Sequence, residues 1–325
     1  MKPAHDLAWG DPIIVRQALA ETLGYESLLG NANFTHMGYP PHAGQPKLIE
    51  QLKDMAYRQS GHRPKHLYVT CGATGALNAS LYALRTLRTE YVTTNKRYYP
   101  FYPSIIHGAD MVHIEVTRKG ILYPGNNSLS IVDSPSAPEG LVKPFYAADI
   151  WDSAYGSATY TSDMAHVPEK WTVMCGSLSK TLGLAGLRLG WVSTDSDQVA
   201  ASLLRHATTS SIGMSSVSMG IAEEVLERLD LDRFETLSRG YLDDNRAQVQ
   251  KLFTKLGQDV PTRGMFAILK MGQAEETALR RAGVKWLSGS AWGEDDTWAR
   301  LSLGQSREVV RDAVRATLKR LKGSN

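Results

Sequence analysis

The stretch CGSLSKTLGLAGLRLGW, from Cys175 to Trp191, places one lysine and one arginine among apolar and glycine residues. Strand patterns precede and follow it, so Lys180 lies in the connection between two strands. A lysine on a surface loop is the ordinary explanation. Loops at the strand ends of an α/β sheet also bind ligands, and a partly desolvated lysine there is a candidate for forming a Schiff base. Ser177 and Arg188 would then offer a hydroxyl group and a permanent cation to an anion such as phosphate.

Two further strand ends carry residues that could bind a ligand. Gly72, Ala73 and Thr74 stand between a strand pattern and a helix pattern, where glycine lets backbone N–H groups approach an anion at the helix N-terminus. A tight strand–helix turn is the alternative. Asp152 ends another strand pattern, shortly before Tyr155. Its carboxylate would either cap a helix or hold a protonated ring nitrogen.

Arg300 lies in WARLSL, a run that otherwise has the pattern of a strand with a buried face. An arginine in such a run needs a partner, because an unpaired buried cation is unfavourable. The carboxylate of a substrate is one such partner. A salt bridge within the protein is the alternative.

These residues must be positioned by the elements around them. Short apolar runs alternate with helical patterns over the first two thirds of the chain, which predicts an α/β domain with a mostly parallel seven-stranded sheet covered on both faces. The predicted strands are His66–Thr70, Tyr91–Thr94, Met111–Val116, Leu129–Asp133, Ala147–Trp151, Trp171–Cys175 and Arg188–Ser193.

The pattern changes after about Ser215. Two long charged amphipathic segments follow, near Val217–Leu229 and Arg233–Leu256, then two strand candidates and a final helix near Arg307–Leu321. This order predicts a second, smaller α+β domain. We expect residues 40–215 to form the large domain, and residues 1–39 and 216–325 to form a discontinuous small domain.

Together these motifs resemble the fold-type I pyridoxal 5′-phosphate (PLP) enzymes of the aminotransferase class I/II superfamily. SLSKTLGLAGLRLGW is similar to the family's Schiff-base lysine motif, and DSAY precedes it as the family's Asp-x-x-Tyr pair does. YPPHAGQPKL, from Tyr39, resembles the family's Tyr-x-x-x-x-Gly stretch, and YPFY, from Tyr99, the segment that stacks on the cofactor. GDP at Gly10–Pro12, SPSAPEG at Ser134–Gly140 and WARLSL are most similar to the alliinase and tryptophan-aminotransferase-related group.

The resemblance implies PLP as cofactor and assigns four residues to its reacting end. Lys180 would hold PLP as a Schiff base and then move a proton at the substrate Cα. Asp152 would keep the pyridine nitrogen protonated, which preserves the electron sink. Tyr155 would hydrogen-bond the phenolic oxygen, and Tyr99 would stack on the ring.

The resemblance also implies a phosphate site, a substrate site and a partner. Arg300 would clamp the substrate carboxylate, with Gly10 nearby, and the substrate would be a small amino-acid-like molecule. Tyr39 would reach the phosphate bound by a neighbouring subunit, so a homodimer with shared active sites is expected. The phosphate-binding residues would be Gly72, Ala73, Thr74, Ser177 and Arg188.

One position departs from the family pattern. The family has Asn-Pro-x-Asn-Pro-x-Gly where this chain has SPSAPEG, so Ala137 replaces the asparagine that donates to the phenolic oxygen. Transamination is the expected reaction. Decarboxylation and β-elimination remain open, as does a bulky or carrier-borne amine substrate. A non-catalytic PLP-fold binding protein is a further alternative, which the retained Lys180 argues against.

Composition excludes several other classes. The net charge of +3 and the absence of like-charge runs indicate neither a nucleic-acid tail nor a polybasic membrane patch. Cys71 and Cys175 are too few for a disulfide framework, and none of the nine histidines has metal-ligand spacing. No segment reaches the ~18 uninterrupted apolar residues of a membrane span. We therefore expect a soluble cytoplasmic protein that binds no metal.

Overall fold

The computed structural model describes residues 5–8, 11–23, 38–85, 89–116, 127–140, 142, 146–161, 164, 167–261 and 263–322. The helices are α1 (Ile13–Leu23), α2 (Pro46–Ser60), α3 (Gly72–Leu84), α4 (Tyr102–Gly108), α5 (Leu178–Thr181), α6 (Asp197–Ser210), α7 (Ser216–Arg228), α8 (Leu231–Lys255), α9 (Gln273–Arg281) and α10 (Arg307–Lys322). The strands are β1 (His5–Asp6), β2 (His66–Thr70), β3 (Tyr91–Asn95), β4 (Val112–Val116), β5 (Ser128–Asp133), β6 (Ala147–Asp152), β7 (Lys170–Ser177), β8 (Gly190–Thr194), β9 (Phe266–Lys270), β10 (Val284–Lys285), β11 (Leu287–Ser288) and β12 (Trp298–Ser302).

The largest sheet has seven strands in the order β2-β8-β7-β6-β5-β3-β4. Strand β8 runs antiparallel to both of its neighbours, and the other pairings are parallel. The predicted mostly parallel seven-stranded sheet is therefore confirmed. Because β2, β5, β6 and β7 run in the same direction, their carboxyl ends meet at one edge, where α/β sheets bind ligands.

Both faces of the sheet are buried along β5, β6, β7 and β8, which explains the continuous apolar sequence of these strands, whereas the edge strand β4 is largely exposed. Ile131, Ile150 and Val173 belong to one core cluster, under α3, α4 and α6. The following residue in each strand points to the opposite face, where Trp151 and Met174 pack in a separate cluster. This alternation also decides which strand-end side chains reach the same side of the sheet.

A second sheet supports the region after α7. It consists of β11, β12 and β9 in antiparallel pairing, and α8, α9 and α10 accompany it along the chain. The predicted helices of this region begin and end within a few residues of α7, α8 and α10. Near the N-terminus, β1 pairs with β10 in parallel, so the start of the chain joins this region.

Two general properties follow for the described ranges. No helix there is long and apolar enough to cross a membrane. No group of three or more His, Cys, Asp or Glu side chains within these ranges is arranged to hold a metal ion.

Candidate functional site

Lys180 lies one helical turn after the end of β7. Ser177 caps that turn, because its Oγ accepts the N–H of Ser179 at 3.2 Å. The Lys180 carbonyl oxygen accepts the hydroxyl of Tyr160 at 2.7 Å, which fixes the backbone at the lysine. At Gly176, a Cβ atom would lie 2.1 Å from the Trp191 ring, so only glycine allows this approach of β7 and β8.

The Lys180 side chain is partly buried and its ammonium form is disfavoured. Burial, and after it the positive charge of Arg300, lower the pKa of Lys180 to about 8, while Asp11 opposes the shift. Arg188 lowers it further. A lysine with this pKa has a substantial fraction of free amine near neutral pH, as a Schiff-base former requires.

Lys180 opens into a cavity at the carboxyl ends of β5, β6 and β7. Eight of the predicted site residues line it, and Ala137 lines it as well. The lining residues are Ala73, Thr74, Tyr99, Asp133, Pro135, Ala137, Asp152, Ala154, Tyr155, Ser177, Ser179, Lys180, Ala185 and Arg188. The tertiary structure therefore brings together residues from five separate stretches of the sequence.

Asp152 provides a buried carboxylate in this cavity. Its Oδ2 accepts the Tyr102 hydroxyl at 2.8 Å, and its Oδ1 accepts the Ala154 N–H at 3.1 Å. Burial raises the pKa of Asp152, and these two hydrogen bonds oppose the shift. A carboxylate held in this way is suited to pair with a cationic nitrogen.

The opposite end of the cavity is electropositive. Helix α3 begins at Gly72, whose φ of 65° favours glycine, and its N-cap residue Cys71 makes no side-chain hydrogen bond to the helix. A Cβ at Gly72 would lie 3.0 Å from a nitrogen of the Arg188 guanidinium, so this cation lies over the helix N-terminus. At Gly190, a Cβ would lie 2.5 Å from the Gly72 backbone. Together the N-terminus and Arg188 form a place for an anion such as phosphate.

Two tyrosines line the cavity between these ends. Tyr99 is partly buried, and its ring lies 5.4 Å from the ring of Tyr102. Tyr155 is buried, and its ring contacts those of Tyr160 and Phe266 at 5.3 and 5.7 Å. Burial raises the pKa of both cavity tyrosines, so their hydroxyl groups stay protonated and can donate.

Arg300 is a buried cation close to this site. It is 6% exposed, its Cζ lies 3.9 Å from the centre of the Phe266 ring, and one guanidinium nitrogen donates to the Ala8 carbonyl at 3.4 Å. Its Nε has no hydrogen-bond partner, and no carboxylate pairs with it, within the described part of the chain. Burial lowers the pKa of Arg300 to about 10. This guanidinium is therefore available to an anionic ligand.

Four predicted site residues are not among those that line the cavity. Two of them, Gly72 at the start of α3 and Arg300, are described above, and the other two are Tyr39 and Gly10. Tyr39 is 89% exposed on the surface of this single chain. Gly10 lies outside the described residues. Its neighbours on either side are near the site, since Ala8 contacts Arg300 and the charge of Asp11 acts on Lys180.

Sequence reasoning missed Tyr102, Tyr160 and Asp133. Tyr102 is the last residue of YPFY, of which only Tyr99 was selected, and its role depends on a hydrogen bond to Asp152, 50 residues away in the sequence. Asp133 ends β5 as Asp152 ends β6, so the signal that selected one strand-end carboxylate could have found the other.

Comparison with known proteins defines the class. The family model "Aminotransferase class I and II" matches residues 149–316, a little over half of the chain. The chain therefore belongs to the aminotransferase class I and II family, whose enzymes use PLP.

Individual relatives are distant. Tryptophan aminotransferase-related protein 1 of Oryza sativa subsp. japonica is 26% identical over 255 residues, which cover 71% of this chain and 57% of that protein. This chain thus spans little more than half the length of that relative. Among solved structures, a mutant aspartate aminotransferase of Thermus thermophilus has a TM-score of 0.76 at 20% identity and covers 97% of this chain and 91% of its own. The aromatic aminotransferase of Pyrococcus horikoshii OT3 has a TM-score of 0.75 at 18% identity, covering 98% and 96%. These likenesses establish the fold.

The residues present suit PLP chemically. An aldehyde needs an amine that is partly unprotonated, and the pKa of Lys180 is lowered to about 8. A protonated pyridine nitrogen needs a buried anion, and Asp152 is one. A phosphate needs N–H donors and a cation, which the α3 N-terminus and Arg188 offer.

Proposed function

We propose that this chain is a PLP-dependent aminotransferase that moves the amino group of a small amino-acid-like substrate to a keto acid. The observation that supports this most strongly is the shared cavity of Lys180, Asp152 and Arg188 at the carboxyl edge of the sheet. An amine, a buried carboxylate and an anion-binding helix terminus occur there in one connected space. Fold and family agree with this chemistry.

In this proposal the bound cofactor supplies an electron sink for the charge that develops at the substrate Cα. Lys180 holds the cofactor and then moves the proton at Cα, acting as base and then as acid. Asp152 retains a proton on the ring nitrogen, with Tyr102 and the Ala154 N–H orienting its carboxylate. Tyr155 donates to the phenolic oxygen, and Tyr99 covers the ring.

The phosphate and the substrate are held by separate cations. Arg188 neutralises the phosphate, which also contacts the α3 N-terminus (Gly72, Ala73 and Thr74) and Ser177. Arg300 binds the substrate carboxylate as a planar fork. Its missing ion-pair partner within the described residues and its position near Lys180 support this role. The resemblance adds Gly10, which lies outside the described residues, as a further substrate-binding residue of this proposal.

We further propose that the active form is a homodimer with shared sites. Tyr39 is 89% exposed in the single chain, so its ring and hydroxyl group are free to contact a second subunit. In the dimer, Tyr39 reaches the phosphate bound by the second subunit. The division into a large domain of residues 40–215 and a small domain of residues 1–39 and 216–325 belongs to the same proposal, and the pairing of β1 with β10 supports it.

The alanine at residue 137 is the reason for two alternative reactions in this proposal. Ala137 is 4% exposed and lines the cavity, so no amide at this position donates to the cofactor. Decarboxylation and β-elimination begin from the same bound substrate and differ in which bond at Cα or Cβ breaks. Ala137 is the observation that favours retaining them as second candidates.

A spectrum and a labelling experiment test the cofactor assignment. Protein purified with PLP should absorb visible light, and borohydride reduction followed by peptide mapping should find the pyridoxyl group on Lys180. Lys180→Ala should lose the label, and Lys170→Ala, a change at the exposed start of the same strand, should keep it. Label on another lysine, or no bound cofactor at saturating PLP, would contradict the proposal.

A substrate screen then separates the reactions. Amino acids are offered with and without a keto acid, and keto-acid product, carbon dioxide, and pyruvate with ammonia are measured. Amino transfer that requires the keto acid supports the aminotransferase. Carbon dioxide, or pyruvate with ammonia, formed without a keto acid would replace it by a decarboxylase or a lyase.

A further inference from the structure

A second buried carboxylate shares the cavity with Asp152. Strand β5 ends at Asp133 and β6 ends at Asp152, and the two residues are register partners in a parallel pairing. Adjacent strands lie about 4.8 Å apart, and register partners project from the same face of a sheet. Both residues line the cavity, and they are only 4% and 7% exposed. The side chains of Asp133 and Asp152 therefore leave the same face of the sheet and line one largely dehydrated cavity, where each carboxyl group accepts hydrogen bonds from its own donors.

Asp133 is oriented by the backbone of the residue that departs from the family pattern. Its Oδ2 accepts the Ala137 N–H at 2.9 Å. At position 137 the resemblance implies a neutral amide that donates a hydrogen bond. This chain has an alanine there, and its backbone N–H donates to the Asp133 carboxylate. The cavity therefore lacks that amide donor, and the acidic side chain of Asp133 lies next to the position where it would be.

The charge of Asp133 acts on the groups around the cavity. Burial raises the pKa of both Tyr102 and Tyr155, and the charges of Asp152 and Asp133 raise it further. The positive charges of Arg300 and Arg188 disfavour the ammonium form of Lys180. The charged and titratable groups that line the cavity together with Asp133 are Tyr99, Asp152, Tyr155, Lys180 and Arg188.

We infer that Asp133 is a positioning residue of the cofactor site, whose negative charge favours the protonated form of the nitrogen that joins Lys180 to the cofactor. The inference rests on the proposed function. A neutral amide donor near the phenolic oxygen favours the unprotonated form of this nitrogen, whereas a carboxylate in the same cavity favours its protonated, positively charged form. Asp133 therefore sets the pH range in which the attached cofactor stays protonated and reactive towards an amine.

The test compares the wild-type holoenzyme with the holoenzyme of the Asp133→Asn variant. The asparagine Oδ1 can still accept the Ala137 N–H, so the substitution removes the charge and keeps the turn. The matched control is Asp149→Asn, because Asp149 lies on β6 and also accepts a backbone N–H, that of Ser130 at 2.8 Å, yet it does not line the cavity. For each protein the visible absorbance of the bound cofactor is followed against pH, which reports protonation directly and needs no turnover.

We expect the midpoint of this titration to fall by about one pH unit or more in Asp133→Asn, the shift that one nearby charge produces. The Asp149→Asn midpoint should match that of the wild type. An unchanged midpoint in Asp133→Asn, with stability lost only in Asp133→Ala, would show a purely structural role and overturn the inference. Asp133→Ser, whose hydroxyl oxygen can also accept the N–H, is the second neutral variant.

If neither neutral variant folds with bound cofactor, the role of Asp133 is structural and the inference is wrong. Failure of the proposed function would differ from this, since the wild type would then bind no PLP or would carry it on another lysine. That outcome removes both proposals at the first spectrum, whereas an unchanged midpoint removes the inference alone.

Discussion

Replacing Arg300 by leucine should make the unliganded protein more stable while it abolishes tight substrate binding. Arg300 is 6% exposed, and burial lowers its pKa from the ordinary 12.5 to about 10. At pH 7 the guanidinium is charged in both the folded and the unfolded chain. The full free-energy cost of burying this charge is therefore present at pH 7, and it disappears only as the pH rises through the range from 10 to 12.5. The difference between these two pKa values corresponds to about 3 kcal/mol of lost folding stability.

Two contacts offset part of this penalty. The guanidinium lies over the Phe266 ring at 3.9 Å, which contributes about 1 kcal/mol, and it makes one long hydrogen bond to Ala8. Leucine removes the charge and keeps an apolar side chain next to the ring. We therefore expect the free energy of unfolding of Arg300→Leu to rise by about 1 to 2 kcal/mol.

Substrate binding, in contrast, should become weaker. A charge-assisted bidentate contact in a dehydrated site is worth a few kcal/mol, so KM should rise by about 10²- to 10³-fold. The visible spectrum of the bound cofactor should be unchanged. Arg300→Lys should recover little, because an ammonium group cannot replace the planar fork.

Arg246 offers a matched comparison, since it is another largely buried arginine. Its guanidinium donates to the carbonyls of Pro261 at 2.9 Å and Gly264 at 2.8 Å, and it also pairs with Asp243. Arg246→Leu should lower stability because it leaves these acceptors without a donor, whereas Arg300→Leu should raise it. The assays are denaturant unfolding of the cofactor-free proteins and steady-state kinetics of the loaded ones. Lower stability with an unchanged KM in Arg300→Leu would refute the reasoning and assign Arg300 a structural role.

Three further outcomes are expected. The rate at which cofactor-free protein takes up PLP should rise with pH around a midpoint of about 8, because the free amine of Lys180 forms in that range; a stopped-flow pH series with a midpoint above 10 would contradict this. Asp152→Ala should lower turnover far more than it weakens cofactor binding, since the phosphate contacts remain, and near wild-type turnover would disprove its role. Sedimentation should find an active homodimer in which Tyr39→Phe weakens cofactor retention; a fully active monomer would exclude the shared site.

Local patterns were sufficient to predict the sheet and many of the residues at the carboxyl ends of its strands. Apolar runs and their spacing predicted seven strands, because a sheet covered on both faces needs continuous apolar segments. The lysine motif, the strand-end Asp152 and the glycine that begins α3 are likewise recognisable in short windows, since each serves a turn or a strand end. The resemblance to the aminotransferase class I/II superfamily, confirmed by the family model, added their order along the chain.

Contacts between distant segments depended on the tertiary structure alone. The sequence contains Asp133, Tyr102 and Arg300, but only the folded chain sets Asp133 beside Asp152, joins Tyr102 to that carboxylate, and leaves Arg300 without an ionic partner in the described residues. The pKa of Lys180 depends on burial and on the cation of Arg300, which lies on β12, neither of which a local pattern encodes. The sequence by itself therefore determined which chemical groups stand at the strand ends, and the packing of those ends determined their charges, because electrostatic energies depend on distance and dehydration.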